Sequence, residues 1–266
     1  MTADNTSSVQ QSSDSSKTNK VEKPASDMTT ILKDIGVIAF FYLIFSTFGW
    51  ASFHIPSGSM EPTLEVGDRI FVSKFSYGYN RFSVPFDPAF IPESRLIGDA
   101  PQRGDVAVFT LPKRGYEDFI KRVIGLPGDR IQMRAGRLYI NGDMVERTLV
   151  REVNYTTYQG EQRRVKEYDE TLPGGVVHRI YESSDRGRWD NAGPYVIPPG
   201  HYFMMGDNRD GSSDSRNLGD IGYVPEAYFV GQAQVTTFSL YDCDQGKDVY
   251  CLFNTVPLGR FFNGIE

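Results

Sequence analysis

The sequence predicts a mainly β protein: a coiled antiparallel β-sheet domain with an inserted β subdomain, preceded by one transmembrane helix and a disordered N-terminal tail. Three observations carry this. A Gly-Asp turn followed by a short apolar strand recurs at Gly67-Asp68, Gly104-Asp105 and Gly128-Asp129. No βαβ rhythm separates those strands. One charge-free apolar run, Ile35 to Phe53, stands near the N-terminus. The boundaries read as a tail over 1–32, a span over 33–53, a β domain over 54–143 and 192–266, and an insertion over 144–191.

The tail, to about residue 29, is rich in Ser, Asp, Lys and Thr and holds no aromatic. Such a segment buries too little apolar surface to offset its chain entropy. The run that follows is long enough to cross a hydrocarbon core of about 30 Å. A cleavable leader has a shorter apolar region, although Gly49-Trp50-Ala51 has the small-x-small form of a cleavage site. Trp50 at its end suits a ring at the interface. Lys17, Lys20, Lys23 and Lys33 precede the run and only Arg69 follows closely, so the positive-inside rule keeps the N-terminus in the cytoplasm and exports the rest.

In the exported part, Glu65–Phe75, Arg103–Phe109 and Gly128–Met133 each read as a turn and then a strand. Leu138–Asp143 ends a strand on Asn141-Gly142, a hairpin signal. Tyr195–Met205 and Ala227–Leu240 read as further core strands. From Met144 to Asn191 the chain is polar and charged. It reads as an insertion away from the chemistry, with His178 on its surface. Tyr77 to Pro92 is an irregular aromatic and Pro loop. It reads either as core filling or, with Phe86, Phe90, Phe261 and Phe262, as a surface that dips into a bilayer.

The 18 Phe and 15 Tyr allow a sizeable core, and the net charge of −6 argues against nucleic acid and against electrostatic docking to anionic lipid. No His/Cys spacing among the 3 His and 2 Cys fits a metal site, so no metal and no cofactor is expected. In an exported domain Cys243 and Cys251 are candidates for a disulfide closing a short hairpin loop; two free thiols are the other reading.

Three segments carry chemistry. Ile55-Pro56-Ser57-Gly58-Ser59-Met60 sets a Ser between Gly and Met just after the apolar run. Asp118 to Asp129 sets Lys121 in a β-prone stretch that closes on Pro127-Gly128-Asp129. Gly206-Asp207-Asn208-Arg209-Asp210-Gly211-Ser212-Ser213-Asp214-Ser215-Arg216 is the third. A Ser hydroxyl needs a base to become a nucleophile. His54 lies too close along the chain to converge easily on Ser59, and His201 reaches it only through tertiary folding. Lys121 is the better base, provided that burial among Ile120, Val123 and Ile124 lowers a pKa that is ordinarily about 10.4.

Together these segments resemble the type I signal peptidases, membrane-anchored Ser/Lys endopeptidases. The likeness covers roughly Phe53 to Phe238 apart from the insertion. It implies Ser59 as nucleophile and Lys121 as general base. It implies an oxyanion hole of the Ser57 hydroxyl and the Ser59 N–H, and Ser212 as the hydroxyl that orients the lysine amine. Asp214 and Arg216 match a buttressing pair. Phe53, Ile55, Leu64 and Ile120 match positions near the substrate pockets. The implied substrates are exported preproteins cut after small-x-small sites and bound extended along a strand edge. The implied partners are these substrates, the lipid bilayer and, by proximity, the secretion machinery. The implied location is a bacterial inner membrane, crossed once, with the catalytic domain extracytoplasmic. Two other readings stay open: a specialised Ser/Lys peptidase for one exported substrate, and a non-catalytic membrane-anchored β domain that binds peptides.

Overall fold

The computed structural model describes residues 28–79, 98–157, 160–239 and 262–265. The chain divides into two compact units, Met1–Phe41 and Tyr42–Glu266. Cys243, Cys251, Phe261 and the loop residues Phe82 to Pro92 lie outside the described residues, as does the tail before Met28.

Helix α1 runs Met28–Phe48, and none of its residues is buried. Its 21 residues, with a mean hydropathy of 1.8 over its most apolar window, span about 31 Å at the helical rise. The expected span of 33–53 is therefore displaced toward the N-terminus. The charge-free run does not set its limits, because Lys33 and Asp34 sit inside the helix and Gly49 closes it through a 2.8 Å bond from its N–H to Phe45 O. The next residues belong to a sheet. Trp50 lies in strand β1 (Trp50–His54), its ring edge-on to Phe75 at 5.6 Å between centroids.

Among the described residues the β strands form three antiparallel sheets. The largest takes β1, β2 (Asp68–Ser73), β14 (Phe229–Ser239), β3 (Val106–Leu111), β4 (Glu117–Gly125), β12 (His201–Met205) and β13 (Val224–Pro225) in that spatial order, with β15 (Asn263–Gly264) on β14. A second sheet orders β11 (Ala192–Val196), β5 (Arg130–Arg134), β6 (Arg137–Ile140) and β7 (Asp143–Met144). The third orders β10 (Val177–Glu182), β9 (Gln162–Thr171) and β8 (Glu146–Thr156). The Asn-Gly signal lies where expected, with Asn141 at φ 57° and Gly142 at φ 99° between β6 and β7. Both angles suit the primed two-residue turns that match strand twist.

Strand β4 is the axis of the site. It is buried from Lys121 to Gly125 and pairs with β3 on one side and β12 on the other. Side chains alternate between the two faces of a strand. Ile124 accordingly joins a core of Ile131, Leu138, Ile140 and Phe203. Val123 joins another with Phe109, Tyr202, Met204 and Phe229. A third core, of Ile55, Met60, Leu64, Ile70, Val72 and Val108, lies under the Ser59 turn.

Candidate active site

Ser59 stands in a one-turn 3₁₀ helix, Gly58–Met60, just beyond β1. Its hold is local and tertiary at once. Met60 is fully buried in the third core. Glu61 N–H closes the turn on Gly58 O at 3.2 Å. From across the chain, Asn208 N–H donates to Ser59 O at 3.2 Å and Asn208 Nδ2 donates to Gly58 O at 3.0 Å. Gly206 makes this approach possible, since a Cβ there would come within 2.4 Å of Ser59 O and 2.3 Å of Ser212 Oγ.

Lys121 Nζ lies 2.8 Å from Ser59 Oγ and 2.9 Å from its neighbour's carbonyl, Ile120 O. The lysine is 4% exposed. Burial brings its pKa down to about 8, while Asp214 and Asp207 act from a distance in the opposite sense. Ser57 Oγ lies 3.4 Å from Ser59 Oγ. The Ser59–Lys121 pair opens onto a cleft of about 390 Å³ lined by Ser57, Ser59, Lys121, Phe119, Glu61, Asn208, Tyr155, Thr157 and Arg163, among others. Neither His54 nor His201 lines it; His201 Nδ1 instead lies 2.9 Å from Pro199 O.

The third segment holds its charges in pairs. Asp214 and Arg216 form a fully buried ion pair at 2.8 Å. Burial would raise the Asp214 carboxyl, but the Arg216 guanidinium outweighs it and holds the carboxyl below the usual range. Asp214 also accepts from Gly206 N–H at 3.1 Å, at the foot of the segment that clamps Ser59. Ser212 is buried beside Gly206, and its Oγ has no hydrogen-bond partner among the described residues. Of the four residues matched to the substrate pockets, Ile55 and Leu64 are buried in the third core, and Phe53 and Ile120 pack against it half-buried.

A profile of the signal peptidase, peptidase S26, family matches residues 28–238. The chain belongs to that family. A signal peptidase I of Rickettsia typhi is 37% identical over 235 residues, covering 85% of this chain and 84% of that protein. One from Pseudomonas aeruginosa is 45% identical over 204 residues, covering 74% of this chain and 67% of that protein. A crystal structure of a signal peptidase I from Enterococcus faecalis V583 is 27% identical, covers 50% of this chain and 97% of that one, and superposes with a TM-score of 0.29. Family membership makes the protein a serine-type peptidase, and α1 is consistent with its association with a membrane.

Two expectations about the insertion are corrected. His178 is not on the surface but 3% exposed. Its Nε2 lies 3.5 Å from Glu170 and 3.9 Å from Asp207. Burial first, and then the Arg122 charge, lower its pKa to about 4, so it is neutral. The insertion also does not lie away from the chemistry, because β8, β9 and the turn between them bring Tyr155, Thr157 and Arg163 to the cleft wall. A polar β ribbon reads in sequence as a solvated appendage whichever face it turns to the site.

Asp207 and Asn208 stand in the third motif, yet the sequence alone gives them no role. In the fold, Asp207 takes a two-point bond from Arg122, 2.9 Å to Nε and 2.8 Å to Nη2, and a third from Thr63 Oγ1 at 2.5 Å. Arg209 pairs with the buried Glu170. The signal lies in Lys121-Arg122 and Gly206-Asp207-Asn208-Arg209, two charged strings inside otherwise apolar or Gly-rich surroundings. Glu61 and Tyr155 carry no signal.

Proposed function

We propose that this signal peptidase cuts exported preproteins with a Ser59/Lys121 dyad, after small-x-small sites. The observation that carries the reading is the 2.8 Å approach of a buried lysine amine to the Ser59 hydroxyl. Above pH 8 the amine is largely neutral, given its pKa of about 8. Neutral Nζ accepts the Ser59 proton as Oγ attacks the scissile carbonyl carbon. The carbonyl oxygen takes the negative charge of the tetrahedral intermediate, facing the Ser57 hydroxyl and the Ser59 N–H. Each such donor is worth about 2.7–4 kcal/mol in the transition state. The intermediate collapses as protonated Nζ gives its proton to the leaving amine, freeing the mature chain and leaving an acyl-Ser59 ester. Lys121 then takes a proton from water, whose oxygen attacks the ester, and returns it to Ser59.

Ser212 supports the amine by this reading, its free Oγ being the hydroxyl available beside the dyad segment. Selection of small side chains falls by this reading to Phe53 and Ile120, which pack half-buried on the core that holds Ile55 and Leu64 beneath the Ser59 turn. The helix α1 anchors the protein in the bilayer. The lysines before it keep the N-terminus cytoplasmic, so the β domain meets substrates on the extracytoplasmic side, near the secretion machinery that delivers them.

Cleavage of a purified preprotein in detergent tests this, comparing wild type with Ser59→Ala, Lys121→Met, His54→Ala and His201→Ala. The first two variants are expected inactive and the histidine variants active. The kcat/KM of wild type is expected to rise with pH and level off above about 8, the pKa assigned to Lys121. Activity surviving in Lys121→Met removes the lysine from the mechanism.

A further inference from the structure

Apart from the cleft, three carboxylates converge. Glu182 ends β10, Asp190 closes the loop that follows, and Asp210 stands two residues beyond Asn208. One oxygen from each lies within 4.8 Å of the others. That spacing fits a single hard cation held at about 2.4 Å by every oxygen.

Clustered acids alone would not argue for an ion, but two further features do. Glu182 is 2% exposed and Asp190 is fully buried. Even so, Glu182 Oε1 and Asp190 Oδ1 have no hydrogen-bond partner among the described residues. A buried carboxylate oxygen without a donor is costly unless a cation meets it. The second feature is Gly187. A Cβ there would stand 2.5 Å from Asp210 Oδ1 and 3.2 Å from Asp190 Oδ2, so the glycine keeps open the space that these carboxylates face.

The remaining oxygens already hold the carboxylates in place. Gly187 N–H donates to Asp190 Oδ2 at 2.5 Å, and Ser183 and Ser184 N–H donate to Asp210 Oδ2 at 2.8 and 3.0 Å. Of the nearby guanidiniums, Arg209 pairs with Glu170, Arg216 with Asp214, and Arg147 with Glu182 Oε2 and Asp185 together. The cluster itself consists of three carboxyl groups. Its donors are all oxygen, which selects a hard ion over zinc or copper.

We propose that Glu182, Asp190 and Asp210 form a calcium-class cation site that fastens the 183–190 loop to the 206–216 segment. The ion sits two residues from Asn208, which bonds both Ser59 O and Gly58 O. It thus steadies the segment that clamps the nucleophile turn, from outside the cleft and without touching substrate.

The test uses the full chain in detergent, stripped with EDTA and dialysed. Calorimetric titration with Ca²⁺ is expected to show one saturable site with a Kd of about 0.1–1 mM, in the range of extracellular modules. Ca²⁺ is expected to raise Tm, and Tb³⁺ to give emission excited through the adjacent Trp189 that Ca²⁺ displaces. Asp210→Asn, at a position bordering solvent, is expected to weaken binding about 10-fold or more. Gly187→Ala keeps every carboxylate but places a methyl in the gap, and is expected to weaken it as well. No saturable binding and no Tm change in wild type would overturn the site, as would Ca²⁺ affinity unchanged in both variants. Equal affinity for Mg²⁺ would overturn the calcium assignment.

Discussion

Lys121 and Arg122 are neighbours on β4, both buried, both cationic in water, and the fold treats them in opposite ways. Strand alternation sends them to different faces. Arg122 meets a carboxylate built for it: Asp207 takes two of its N–H groups, and Gly104 O takes a third at 2.7 Å. Burial would raise Asp207, yet the Arg122 charge outweighs it and holds the carboxyl below its usual range. Lys121 meets a hydroxyl and a backbone carbonyl instead, and among the described residues no carboxylate forms an ion pair with it. One cation is matched and serves the architecture. The other is buried with no counter-charge at contact distance, so burial outweighs the distant Asp214 and Asp207 and makes its neutral form accessible. The difference lies in what the third segment offers each face, because Asp207 and Asp214 are both spent on arginines.

The sharpest way to break this contrast is to remove each cation in turn. Lys121→Met is expected to lose about 10⁴-fold or more in kcat, as removal of the base from a serine dyad should, while the fold persists. Arg122→Met is expected to act on the fold first. It leaves Asp207 buried and unpaired, which costs about 3–5 kcal/mol. Urea unfolding of the two variants beside wild type measures this. If Arg122→Met unfolds like wild type, the ion pair is not structural and the contrast fails.

A smaller effect probes the clamp between the two faces. Gly206→Ala forces a methyl against Ser59 O and Ser212 Oγ, which sit at 2.4 and 2.3 Å from its Cβ position. The expected result is a loss of kcat of about 100-fold, in line with a displacement of about 1 Å at a reacting group, with little change in KM. A loss confined to KM would place the strain on substrate binding and not on Ser59.

What the sequence makes legible follows the same division. The strands and the Asn-Gly hairpin are legible because turn chemistry and alternation are local. Ser59 and Lys121 are legible because each sits in a short motif, and the cost of burying Lys121 follows from its apolar neighbours Ile120, Val123 and Ile124. The pairing of Arg122 with Asp207 is not, because nothing local says which of several acids an arginine will meet across 85 positions. The burial of His178 is hidden for the same reason. Its neighbours on β10 alternate buried and exposed, and only the docking of β10 through Tyr181 to Asp207 and Arg209 shows which face turns inward. The helix end is ambiguous because Trp50 to Phe53 suit a membrane span and a sheet edge alike, and the pairing of Trp50 with Ser73 decides between them.

The subtlest expectation concerns stability alone. Burial lowers the pKa of Lys121 to about 8 in the folded protein, against about 10.4 for an unfolded lysine. Below pH 8 both states carry the proton, and the folded state bears the full cost of a buried charge. Between pH 8 and about 10.4 the unfolded state binds more protons than the folded one, so stability rises with pH. Lys121→Met removes that dependence. At neutral pH the methionine variant is therefore expected to be more stable than wild type by roughly 1–3 kcal/mol, since a tenfold change in proton affinity is worth about 1.36 kcal/mol. The gap should narrow as pH climbs toward 10. Equilibrium unfolding of both proteins at pH 7, 8.5 and 10 reads it directly. A gap that stays constant across that range would mean Lys121 is not held against its charge. In that case the neutral amine at the centre of the Ser/Lys reading would have no source in the fold.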